Sequence, residues 1–124
     1  AVAAAVLFAA LPGAWSQVKI GVITSGTGPT AFVGIPQKNA VALLPRKLGE
    51  LAVEYVTYDD ASEPTQSVQL VKKLTGEHRV DAIIGPSGSP NGMAVIQFAA
   101  EAQTPLLAPV GNSSLVLPMD GQKH

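Results

Sequence analysis

The sequence has 124 residues, a formal net charge of −1 and no cysteine, and it is 47% hydrophobic but only 14% charged. That length suits one domain of ordinary size. Absence of cysteine excludes a disulfide scaffold and a thiolate metal site, and the near-neutral balance argues against a nucleic-acid binder, which would carry a basic stripe.

Residues 1–16, AVAAAVLFAALPGAWS, carry no charge, and 13 of the 16 are apolar. A bilayer span needs roughly 20 apolar residues, and Pro12 and Gly13 interrupt this run. It reads as the apolar core of a secretory signal, with Ala14 and Ser16 at the −3 and −1 positions of a cut before Gln17. The competing reading is a buried N-terminal helix. Next, the β-branched run Val18–Ile23 predicts a strand, closed by Thr24-Ser-Gly. Ile35–Leu44 predicts a helix with Ala40, Val41 and Leu44 on one face, ended or kinked by Pro45. Leu51–Tyr58 is a second strand. After the loop 59–64, Val68, Val71 and Leu74 line one face of a helix that Gly76 is placed to end. Asp60 or Ser62 is expected to cap it, and Lys72 and Lys73 suit the dipole of its last turn. Val80–Ile84 is a third strand. Pro90–Ala102 is a helix with Met93, Ile96 and Ala100 expected to face inward, and Leu106–Ala108 is a fourth, short strand. From residue 112 on, the periodicity is lost.

The order βαβαβαβ with short connections implies an α/β fold: a parallel sheet with helices on both faces, joined by right-handed crossovers. In such a sheet, ligands bind beyond the carboxyl ends of the strands. The informative loops are therefore 24–30, 59–60, 85–90 and 109–114, three of them rich in Gly and Ser. In the third, Ser89 is a good N-cap, Pro90 suits the first helical position, and Gly88 lets the backbone approach a ligand. The N–H groups of a helix start, with the Ser87 and Ser89 hydroxyls, could hold a small carboxylate; the alternative is plain capping. The first loop fits G-x-G-x-x-A from Gly26 to Ala31, a dinucleotide pattern. However, Pro29 removes an N–H that a pyrophosphate would need, and Asp59 lies 31 residues after Gly28, where about 20 would be expected. Asp59-Asp60 lacks the neighbours for a metal site, and His78 reads as a lone surface histidine. Ser87 lies in a near-match to a hydrolase nucleophile elbow, but the closing Gly of G-x-S-x-G is Ser89 here and no Asp–His pair accompanies it.

Taken together, VKIGVITSGTGPTAFVGIPQKNAVALLP, YVTYDDASEPTQSVQLVKKL, VDAIIGPSGSPNGMAVIQFAAEAQTPLLAPV and SSLVLPMD resemble the periplasmic substrate-binding proteins of branched-chain amino-acid ABC transporters. The resemblance runs from Val18 to Asp120 and rests on the order and spacing of segments. It implies a non-enzymatic receptor with a type I periplasmic-binding, Rossmann-like lobe, in which 17–124 form the first segment of lobe 1. It implies no cofactor and no metal. Its ligand would be a branched-chain amino acid or similar small carboxylate, delivered from the periplasm to a membrane permease. By resemblance Ser87, with Gly88 and Ser89, binds the ligand, and the loop after the fourth strand adds Gly111 and Ser113. The aromatic that the first loop supplies over the ligand falls at Val33, with Phe32 beside it as the candidate. A ligand-sensing regulator on the same lobe is the alternative, against which the export signal argues, and a nucleotide-dependent enzyme using the glycine loop is the third.

Overall fold

The computed structural model describes residues 17–115; the expected leader 1–16 and the chain beyond 115 lie outside the described residues. In chain order the elements are β1 (Gln17–Thr24), α1 (Ala31–Ala42), β2 (Lys47–Leu48), β3 (Leu51–Asp59), α2 (Pro64–Gly76), β4 (Ala82–Ile84), α3 (Ser89–Glu101), β5 (Leu106–Leu107) and a 3₁₀ turn at Ser113–Leu115. The five strands lie in the order β2-β3-β1-β4-β5. Strand β1 is central, parallel to both β3 and β4, and β4 pairs parallel with β5. The expected α/β fold with a largely parallel sheet is present. One strand goes beyond the expected set: β2, only two residues long, pairs antiparallel to β3 at the sheet edge. Lys47 and Leu48 carry no alternation that a pattern could detect.

Successive strand residues face opposite sides of the sheet, and the two sides are covered differently. On one side Ile23 of β1 and Ile83 of β4 meet Leu70, Val71 and Leu74 of α2 and Val95 of α3, with Val80. Val56, Tyr58, Phe98 and Leu106 pack around them. Val71, Leu74, Ile83 and Val95 are fully buried, each worth about 1.5–3 kcal/mol over an exposed position. On the other side stands α1. Gln37, Ala40, Val41 and Leu44 face Val22, Thr24, Ile84 and Pro109 across an apolar cavity of about 230 Å³. The predicted stripe of Ala40, Val41 and Leu44 does turn toward the sheet, but it stays partly open, and Ala40 is exposed.

Three local expectations are corrected. Helix α1 begins at Ala31 rather than Ile35 and contains Pro36, which forfeits one hydrogen bond near the helix start. Gly76 is the last residue of α2 rather than its terminator; Glu77 is the C-cap, in a right-handed conformation. On α3 the buried stripe is Asn91, Gly92, Val95 and Ala99, whereas Met93 is 45% exposed and Ile96 and Ala100 are only half-buried. The helix is thus rotated relative to the expected face. The reason is that a polar residue, Asn91, occupies the inward stripe, where buried hydrogen-bond partners hold it.

Candidate functional site

The loops that follow β1, β3, β4 and β5 meet at one end of the sheet. The β1 loop can lie against α1 because Gly34 has no side chain: a Cβ there would overlap the Ser25 carbonyl oxygen. Gly85 leaves β4 at φ +108°, in the region that favours glycine, and a Cβ on it would overlap the carbonyl of Ile23. The Gly85–Pro86 peptide is cis. Ser87 follows and is 6% exposed.

Ser87 Oγ accepts a hydrogen bond from the Ser25 N–H at 3.1 Å. This is the only side-chain bond of Ser87 among the described residues, so its own proton is uncommitted. Helix α3 starts immediately afterwards. Its N-cap is Gly88, with Ser89 and Pro90 as the first helical residues, and no side chain caps it. This corrects the expectation that Ser89 is the cap; the chain enters the helix one residue earlier. A Cβ on Gly88 would stand 3.1 Å from Asn91 Oδ1, so this glycine makes room for a buried side chain. With no capping oxygen, the first-turn N–H groups keep the affinity for an anion that helix starts carry.

Behind this loop is a buried polar network that the sequence reasoning missed. Asp60 is fully buried. Its Oδ1 accepts from Ser25 Oγ at 2.7 Å and from the Ser62 N–H at 2.9 Å. Its Oδ2 accepts from Ser67 Oγ at 2.7 Å and from Asn91 Nδ2 at 2.8 Å. Asn91 Nδ2 also reaches Ser67 Oγ at 2.8 Å. Every donor is neutral, and four donors match the acceptor capacity of one ionised carboxylate. The detectable signal was polar residues within apolar helical stripes, Ser67 on α2 and Asn91 on α3. The expected cap of α2 is also corrected: Glu63 is its N-cap, Pro64 its first residue, and no side chain caps it.

Asp59 is exposed and serves the loops instead. Its Oδ1 accepts from the N–H groups of Ala61 at 2.9 Å and Thr27 at 3.3 Å. Partial burial pushes its carboxyl up, but hydrogen bonds from Ala61, Thr27 and Gly26 outweigh this and hold it below the usual aspartate range. Ser62 Oγ accepts from the Thr30 N–H at 3.1 Å and donates to the Thr27 carbonyl at 2.8 Å, stitching the β1 and β3 loops together. Among the described residues no cluster of three His, Cys, Asp or Glu could hold a metal ion. His78 is half-buried and not alone: its Nε2 is 2.8 Å from Tyr58 Oη.

The remaining candidates line the same end of the molecule. Gly111 and Ser113 are exposed in the loop after β5. Val110 and Leu115 of that loop lie against Gly92 in the first turns of α3, and Gln37 Nε2 of α1 donates to the Pro109 carbonyl at 3.3 Å. Phe32, in the first turn of α1, is 77% exposed. Thr30, two residues before it, approaches Gly88. Ser87, Gly88 and Ser89 are therefore contiguous with the helix start, while Gly111, Ser113 and Phe32 stand on the adjoining loop and helix.

A family model for periplasmic binding proteins matches residues 17–120. Comparison with curated protein sequences found no match. Among solved structures, an extracellular ligand-binding receptor from Rhodopseudomonas palustris HaA2 is 42% identical, with a TM-score of 0.83 over 86% of this chain and 30% of that one. A solute-binding protein of an R. palustris ABC transporter, in complex with 4-hydroxybenzoate, is 34% identical, with a TM-score of 0.72 over 82% and 29%. A possible leucine/isoleucine/valine-binding protein from Rhodopirellula baltica SH 1 is 28% identical, with a TM-score of 0.66 over 85% and 30%. The chain thus spans about 30% of the length of these structures.

Proposed function

The chain belongs to the periplasmic binding protein family, and from that membership we propose that it forms part of the first lobe of an extracytoplasmic receptor. The receptor captures a small carboxylate and delivers it to the permease of an ABC importer, without covalent chemistry. Export through a cleaved leader at 1–16 belongs to the same reading. The observation that carries it is the uncommitted Ser87 proton beside an uncapped helix start. A ligand carboxylate would take the Ser87 hydroxyl and the N–H groups around Gly88 and Ser89, giving charge-assisted hydrogen bonds without a formal cation. Gly111 and Ser113 would hold a polar group next to the carboxylate, and the Phe32 ring would cover the apolar part.

Two ligand classes fit. A branched-chain amino acid is suggested by the segment resemblance and by the R. baltica relative. An aromatic carboxylate is suggested by the relative in complex with 4-hydroxybenzoate, which shares more of the sequence. Thermal-shift measurements on the full-length protein test the proposal and separate the classes. Leucine, isoleucine, valine and 4-hydroxybenzoate should include at least one that raises Tm, while NAD should not. Stabilisation by NAD alone would replace the receptor reading with the nucleotide one.

A further inference from the structure

We propose that Asp60 is a positioning residue of the ligand site, aiming both halves of the anion cradle from behind; this rests on the reading that Ser87 and the α3 start hold the ligand. Through Oδ1, Asp60 fixes Ser25 by its hydroxyl. The backbone N–H of the same Ser25 donates to Ser87 Oγ. That bond occupies the acceptor side of the Ser87 hydroxyl and turns its proton away from β1. Through Oδ2, Asp60 holds Asn91, the third residue of α3, and so sets the direction of the helix start. One carboxylate thereby locks the β1 loop, α2 and the first turn of α3 into one frame. Asp60 is 0% exposed, Ser25 and Ser67 are also 0% and Asn91 is 2%. Asp60 itself has no reach to a ligand and acts only through Ser25 and Asn91.

The arrangement is more than a buried group made comfortable. An apolar residue at 60 would spare the fold the cost of burying a charge, but it would leave the Ser25 hydroxyl without its acceptor and reduce Ser67 to the Glu63 carbonyl and Asn91 to Ser67 Oγ. The cradle needs a group that accepts from three elements at once, and a carboxylate is the side chain with that capacity.

The test is a set of binding titrations on the full-length protein, with leucine and 4-hydroxybenzoate as probes. Ser25→Ala keeps the N–H that meets Ser87 but removes the hydroxyl that Asp60 holds. It should weaken binding about 3- to 10-fold, and this loss should vanish in a Ser87→Ala background. Asp60→Asn should weaken binding at least as much. The exchange Asp60→Asn with Asn91→Asp, which restores a donor facing an acceptor, should recover most of the affinity. A purely structural role would lower Tm in these variants while the Ser25→Ala and Ser87→Ala effects on affinity added independently; that result overturns the proposal. Should Asp60→Asn fail to fold, the Ser25–Ser87 cycle decides alone. Wild-type affinity in Ser87→Ala, or no binding of either probe by the wild type, counts against the functional reading itself. A sensitive Ser87→Ala with an insensitive Ser25→Ala counts only against the role of Asp60.

Discussion

Neighbouring aspartates at the end of β3 divide two tasks according to burial. Asp60, enclosed by neutral donors, holds three elements together, whereas Asp59, exposed, ties Thr27 to Ala61. The Asp59 carboxyl sits below its ordinary value of 3.8, because the loop hydrogen bonds outweigh the effect of burial. Protonation therefore disfavours the folded loop. The contribution of Asp59 is fully present above the ordinary value and is lost as pH falls through the lower, folded one. Thermal unfolding of Asp59→Asn and wild type between about pH 2.5 and 6 should show the wild type more stable at the upper end, with the gap closing toward the lower. A gap independent of pH would remove the carboxylate from this role. Exposure and solvent screening keep the effect small.

At the scale of elements, α3 decides how the proposed site would be presented, because its first turn would face the ligand and its inner stripe fixes its rotation. Leu74 on α2 and Val95 on α3 are fully buried, whereas Met93 is 45% exposed. Leu74→Ala should cost about 2–5 kcal/mol in denaturant unfolding, and Met93→Ala less than about 0.5 kcal/mol. Equal losses would mean that α3 sits as its apolar pattern alone suggested. That contrast also marks what the sequence made legible. Strands β1 and β4 could be read directly as apolar, β-branched runs, and β3, in which only Val53 is buried, from its Val and Tyr content. Helix α2 could be read because Val71 and Leu74 sit on its inner face. The rotation of α3 could not, because its inward stripe contains Asn91 and Gly92, which hydrophobic spacing ignores. Strand β2 could not, because two residues hold no period. Of the candidate site, the placement of Ser87 and Gly88 at a helix start was legible from loop position. Its support was not: Asp60, Ser67 and Asn91 lie up to 31 residues apart, and only the fold brings them together.

Across the whole molecule, the two faces of the sheet differ in how fully they are covered. The α2–α3 face is closed around a shared core. The α1 face keeps an apolar cavity, and Leu43 at 87% and Leu107 at 67% remain exposed. The low charge of the chain agrees with the site, which offers hydroxyls and backbone N–H groups where a charged cleft would offer lysine or arginine. A carboxylate bound this way depends on geometry more than on long-range attraction. In the proposed receptor the Ser87 loop and the start of α3 receive a ligand carboxylate. The most direct measurement is calorimetric titration of the full-length protein and its Ser87→Ala variant with the best-binding acid and with its methyl ester. The ester should bind at least about tenfold more weakly to the wild type, as loss of charge-assisted hydrogen bonds requires, and Ser87→Ala should weaken the acid while scarcely changing the ester. Equal affinity for acid and ester, or unchanged binding of the acid by Ser87→Ala, would contradict this.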